Sequence, residues 1–343
     1  MFIRKMTFAA IMGAAATQVA AEDWNVQSAF PLSLPQIGTL GHWISDRIDV
    51  VSGGELTLTF QEPGAIVPPL EAFDAVQTGA VEAGYSTPSY WVGKIPASEM
   101  FTGVPFGPDA GEYLAWFYFG GGKDLYEEIY HKRGVHGVIC AVMPPETSGW
   151  FREEIATVDD LRGMKMRYNG LGGKVMEKLG VQTQLIATSD LFTALELGTI
   201  DGTELSMPAI DEAVGLYQIA KHAYFPAWHQ QSTFFEVMFN KAAWDGLSEQ
   251  KRAIVDTVCE AAVTRSLAEG EAMQFPSLAR LEEKGVTLHK WPEEFIDAFE
   301  VAWQEVAEEQ AAGDEEFAKV WKSYSDFRAS YAIWGEMGYL PKN

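Results

Sequence analysis

Residues 73–85 read FDAVQTGAVEAGY, and residues 192–204 read FTALELGTIDGTE. Each spells a short helix, a glycine suited to a left-handed helix end, and a small buried strand. That strand opens in both cases with Val or Ile, an acid and a small residue. Two such units in one chain predict two lobes of the same α/β design.

The surroundings of the first unit support this. Trp24–Phe30 reads as a strand, and Leu40–Val51 as a helix closed by Ser52-Gly53-Gly54. Glu55–Phe60 alternates like a half-buried strand, Leu70–Thr78 is helical, and Val81–Ser86 returns to strand. This β-α-β-α rhythm belongs to layered α/β domains. Further on come strands at Val135–Met143, Phe234–Asn240 and Gly285–Leu288. A long helix capped by Ser248 runs to about Ala272, and amphipathic helices cover Glu293–Ala312 and Asp314–Trp334. The reading divides the chain into 22–145 with 230–272 as lobe I and 146–229 with 273–313 as lobe II. Residues 314–343 form a C-terminal helical extension.

The 343 residues are 47% hydrophobic, enough for more than one lobe. Residues 1–21 have the form of a secretory signal, with Arg4 and Lys5 before a short apolar stretch and Ala20-Ala21 at its end. That stretch is too short to span a bilayer. The formal charge is −23 and becomes −25 when the two cations of residues 1–21 leave. Such a surface repels nucleic acid and anionic lipid. It also repels small anions, so an acidic ligand needs a buried arginine to attract it locally. Cys140 and Cys259 lie far apart in sequence and are expected to be two separate buried thiols. The six histidines (His42, His131, His136, His222, His229, His289) show no zinc-type spacing.

Ligands of open α/β sheets sit beyond the carboxyl ends of the strands. The two echoed strands therefore point to Tyr85–Tyr90 and to Glu204–Pro208, on either side of a cleft. Arg167 ends the strand-like KMR of MKMRYNGLGG (164–173), beside Asn169, where its planar fork can take a carboxylate through two hydrogen bonds. Glu146 follows Pro144-Pro145 at one lobe crossing, Glu204 ends the echoed strand, and Gln230 follows YFPAWH at the return crossing. Two carboxylates and an amide suit a hard cation such as sodium or calcium. Tyr90-Trp91, Trp150, Tyr224, Phe225 and Trp228 offer aromatic walls. No nucleotide-binding loop, Gly-x-Ser-x-Gly or His-Glu-x-x-His is present. Phe317, Val320, Tyr324, Phe327 and Tyr331 form a stripe that needs covering, by the chain's own lobes or by a second copy.

These residues resemble the substrate-binding proteins of tripartite ATP-independent periplasmic (TRAP) transporters. The likeness rests on DLRGMKMR (160–167), Gly172-Gly173, DLFTALELGTIDG (190–202) with Glu204, and FNKAAW (239–244). SYWVGK (89–94), GWFR (149–152), YFPAW (224–228) and the aromatic C-terminal helix are similar to the branch that takes 2-oxo and 2-hydroxy monocarboxylates. The resemblance implies a two-lobed periplasmic binding protein with a long connecting helix, which captures an organic acid for a membrane permease. It implies that Arg167 pairs with the ligand carboxylate, with Tyr90, Asn169, Glu146 and Glu204 around it. It also implies a sodium or calcium ion held by Glu146, Glu204, Gln230 and the backbone carbonyl of Leu205, and a homodimer formed by exchange of the C-terminal helix. Glutamate and glutamine are exchanged at 146 and 230 relative to that branch, and Leu205 replaces its usual tryptophan. The rival readings are a secreted enzyme using Glu146 and Glu204 as acid and base, and a binding protein that reports to a receptor.

Overall fold

The structure is a computed structural model, and it describes residues 21–340. The expected export segment 1–21 lies outside the described residues except for Ala21. In chain order the strands are β1 (Glu22–Ser28), β2 (Leu56–Gln61), β3 (Ala83–Ser86) and β4 (Val135–Met143), then β5 (Gly149–Phe151) and β6 (Lys165–Arg167). They continue with β7 (Gln182–Gln184), β8 (Gly202–Thr203), β9 (His222–Phe225), β10 (Thr233–Asn240) and β11 (Thr287–Lys290).

They build two sheets, ordered β2-β1-β3-β10-β4 and β11-β9-β5-β8-β6-β7. Apart from the added edge strand β11, the second order repeats the first. β3 lies parallel to β1, as β8 does to β6. Each is followed by an antiparallel neighbour, β10 beside β3 and β5 beside β8. The echoed sequences therefore occupy equivalent places. The helix Ala72–Thr78 ends at Gly79 with φ +74°, and the helix Thr188–Glu196 is followed by Gly198 with φ +70°. Both glycines adopt the left-handed conformation that side chains resist.

The chain crosses between sheets twice without helix or strand, at 144–148 and through a run of bends at 226–232. A third connection is the helix Glu249–Glu283, which packs on β4 at its start and on the helix Pro208–Val214 further along. It starts as expected, with the Ser248 hydroxyl accepting from the Lys251 N–H, but runs past Ala272 and through Pro276. The cysteine expectation is corrected here. β4 lies directly under this helix, which brings the Cα atoms of Cys140 and Cys259 to 4.2 Å, and the two form a disulfide.

The first half of the C-terminal helix Glu315–Gly338 covers its own lobe. Phe317, Val320 and Tyr324 are buried, with Tyr324 edge-on to Trp116. Glu316 pairs with Arg133 at 2.7 Å and Arg328 with Glu112 at 3.1 Å. Farther on, Ile333, Trp334, Met337, Tyr339 and Leu340 are exposed. Among the described residues no helix is long and apolar enough to cross a membrane.

Candidate functional site between the sheets

Arg167 stands at the carboxyl end of β6 and is 1% exposed. Its Nη1 donates to the Glu204 backbone carbonyl and to Glu204 Oε2, each at 2.7 Å, and its Nε donates to the Ile186 carbonyl at 3.3 Å. Nη2 has no protein partner among the described residues, which leaves one edge of the fork for a ligand. Glu204 follows β8, the parallel neighbour of β6, so the strand pairing itself sets acid against base. Glu204 Oε2 also accepts from the Asn169 N–H at 3.2 Å, whereas the buried Oε1 has no donor.

Glu146 arrives from the first crossing and is also buried. Its Oε1 accepts from Thr233 Oγ1 at 2.8 Å, at the start of β10. Burial and the nearby charge of Glu204 push the Glu146 carboxyl well above the usual range. Burial also pushes Glu204 upward, but the Arg167 guanidinium and the Asn169 N–H outweigh it and hold Glu204 below that range. Two buried like charges this close repel, so the second one ionises only with compensation from a nearby cation. Asp211 steadies the turn after Glu204, accepting from the Ser206 N–H at 3.1 Å and from Trp150 Nε1 at 2.7 Å.

These groups surround a small, tightly closed cavity between the sheets. Tyr90, Glu146, Arg167, Asn169, Leu205 and Gln230 all line it, and Glu204 stands behind Arg167. Phe30, Leu34, Ile37, Ile210 and Phe235 make its apolar wall, with Thr87, Thr188 and Thr233 as hydroxyls. Of the aromatic candidates only Tyr90 lines it. Trp91, Trp150, Tyr224 and Trp228 are buried in the packing around the sheets. Two hydrogen bonds close the cavity across the lobes: Asn169 Nδ2 donates to Ser89 Oγ at 2.8 Å, and the Tyr90 and Thr188 hydroxyls meet at 3.4 Å.

The sequence reading passed over His229. It is fully buried, with Nε2 3.7 Å from Glu204 Oε1 and 4.0 Å from Glu146 Oε2. Spacing rules search one chain segment, whereas these three groups come from three. The available signal was its place next to Gln230.

Residues 31–314 match the bacterial extracellular solute-binding protein family 7, DctP. A monocarboxylate 2-oxoacid-binding periplasmic protein of Nostoc sp. is 33% identical over 92% of this chain and 87% of its own length. A TRAP transporter solute-binding protein from Bordetella bronchiseptica is 30% identical, with a TM-score of 0.90 over 92% of this chain and 94% of that one. It is described as a mixed-occupancy dimer with copurified calcium and picolinate in the bound site. A TRAP periplasmic solute-binding protein from Pseudoalteromonas atlantica, with bound sodium and pyruvate, is 31% identical, with a TM-score of 0.88 over 92% and 96% of the two chains. The matching residues, the paired sheets and the enclosed cavity agree: this chain belongs to family 7 of the bacterial extracellular solute-binding proteins, the DctP-type receptors of TRAP transporters.

Proposed function

We propose that this receptor captures a small 2-oxo or 2-hydroxy monocarboxylate together with a cation and hands it, without chemical change, to a TRAP membrane permease. The observation that carries the reading is a half-free guanidinium at one cavity lined also by Glu146 and Gln230, with an unpartnered oxygen of Glu204 just behind it. Arg167 takes the ligand carboxylate, and Tyr90 and Asn169 border it. Glu146, Glu204, Gln230 and the Leu205 carbonyl are the donors for sodium or calcium. The donor set fits such an ion. Glu204 Oε1 is buried without a donor, burial and the charge of Glu204 push the Glu146 carboxyl upward, and the Gln230 side chain makes no protein hydrogen bond among the described residues. A bound cation supplies the positive charge that lets both glutamates ionise next to an acidic ligand. The exchange of glutamate and glutamine at 146 and 230 keeps both charge and donor number.

The test is calorimetry with pyruvate on chelator-treated protein, with and without added calcium or sodium. The cation should tighten binding by about 5–150-fold, the usual size of coupling between two sites. Equal affinity in both states would remove the cation from the reading.

The exposed Ile333, Trp334, Met337 and Tyr339 support a homodimer in which the end of the C-terminal helix leaves its own lobe and finds a second copy. Light scattering should give a dimer for the intact chain and a monomer after removal of residues 333–343. That cut spares the buried Phe317, Val320 and Tyr324, so the lobe stays covered. A monomeric intact chain at micromolar concentration refutes the dimer. Export with loss of residues 1–21 completes the reading, in line with the extracellular placement of the family.

A further inference from the structure

We propose that His229 is a direct ligand in the cation site, and that this chain prefers a first-row transition dication of the manganese or zinc type to sodium or calcium. The inference rests on the cation reading above and adds the identity of the ion.

Both ring nitrogens of His229 are buried and without a hydrogen-bond partner. The second oxygens of the two glutamates are already engaged. Glu146 Oε1 is held by Thr233, and Glu204 Oε2 by Arg167 and the Asn169 N–H. The oxygens left over, Glu146 Oε2 and Glu204 Oε1, are the ones that face His229 Nε2, at 4.0 and 3.7 Å. These separations are too long for hydrogen bonds. They suit ligands of one ion, because donors held at about 2.0–2.2 Å from a metal lie at most about 4.4 Å apart. The three donor atoms cluster within 4.8 Å of one another, so closing every pair to about 4.4 Å takes a shift of at most about 0.4 Å.

The imidazole is set in place rather than left to swing. Its ring meets Tyr168 edge-on at 5.4 Å and Trp228 at 5.6 Å. Gly172 clears the space behind it, since a Cβ there would stand 2.8 Å from both the His229 Cβ and the Tyr168 ring. Two carboxylates and one imidazole form a donor set for first-row dications, whereas calcium and sodium favour oxygen alone.

The experiment uses the full chain, stripped of metal and titrated with Mn²⁺, Zn²⁺ or Ca²⁺ alone. Mn²⁺ should bind more tightly than Ca²⁺ by about tenfold or more, and the pulsed electron-spin spectrum of the Mn²⁺ complex should carry coupling to an imidazole nitrogen. His229→Gln should abolish that coupling and weaken Mn²⁺ and Zn²⁺ by about 10–100-fold, with Ca²⁺ changed far less. A wild-type Mn²⁺ complex without nitrogen coupling overturns the inference, and so does an equal loss of Ca²⁺ and Mn²⁺ affinity in the variant. If Ca²⁺ still promotes pyruvate binding in that case, the cation reading stands and only the role of His229 falls. If no cation binds, both fall. The spectrum of the wild-type protein decides the matter even if the variant folds poorly.

Discussion

Glu236 and Glu204 are both fully buried glutamates, and they end in opposite states. Glu236, on β10 of the first sheet, is fully supplied. Its Oε1 accepts from Trp91 Nε1 at 2.8 Å and from the Tyr130 hydroxyl at 3.0 Å, and its Oε2 accepts from Tyr126. Glu204, beside the second sheet, is matched on one oxygen and bare on the other. A buried acid whose donors are all supplied by its own lobe belongs to the frame. One with an orphaned oxygen beside a cavity is set for a partner from outside. The two sheets share a strand order but divide the labour accordingly. The second presents Arg167, Asn169 and Glu204 at its strand ends, and the first closes over them with Phe30, Thr87, Tyr90 and Phe235.

The hardest test of this division is Arg167→Ala. It should cost about 2–5 kcal/mol of pyruvate binding, or at least about 30-fold in affinity by calorimetry, because it removes a buried charged partner. The structure adds a second consequence. Without the guanidinium, Glu204 is a buried charge with no counter-ion, so the thermal midpoint should fall as well. Adding Glu204→Gln should restore much of the midpoint and none of the binding. Near-native affinity in the single variant would move the anchor out of the second lobe.

The residues on the second lobe were legible because strand ends are legible. KMR closes a strand and the echoed unit ends at Glu204, so topology alone placed both at one cleft, where they form an ion pair at 2.7 Å. The halves of the crossing site, Glu146 and Gln230, were marked by prolines and aromatics at the points where the chain leaves a sheet. What stayed hidden depends on contacts between distant segments. Nothing near Cys140 or Cys259 announces that a strand will lie under a long helix. Pro276 and the expected stop near Ala272 argue locally for a helix end, yet the helix continues where it packs on Pro208–Val214. Asn169 and Ser89 carry no mark of their mutual hydrogen bond, which exists only with the lobes together.

Glu236 sharpens the comparison through pH. Burial raises its carboxyl from the ordinary 4.5 to about 7, despite the three donors around it. Between these values the folded protein holds a proton that the unfolded chain has released. Stability from this group is therefore fully present below about pH 4.5, falls as pH rises toward 7, and then levels off. The size is of the order of 1–3 kcal/mol. Glu236→Gln should flatten this part of the profile in urea unfolding at pH 5 and pH 8 while leaving pyruvate affinity unchanged. An unchanged slope would mean that Glu236 ionises inside the frame, and the contrast with Glu204 would lose its basis.

The smallest expected effect lies where the two lobes touch. Ser89 Oγ accepts from Asn169 Nδ2 at 2.8 Å, and both residues are buried, so the bond exists only in the closed form. Removing the acceptor in Ser89→Ala leaves the Asn169 amide short of one partner when the lobes close, and leaves it free to find water when they open. The penalty thus falls on the closed state alone. A typical net hydrogen bond of about 0.5–1.5 kcal/mol converts to a fall of roughly 2–12-fold in pyruvate affinity. It should show mainly as faster release, since the contact forms after the ligand has met Arg167. Stopped-flow release rates measure this directly. A slower association rate with unchanged release would mean that lobe I contacts the ligand first, which reverses the order of capture in which the second lobe anchors and the first one closes.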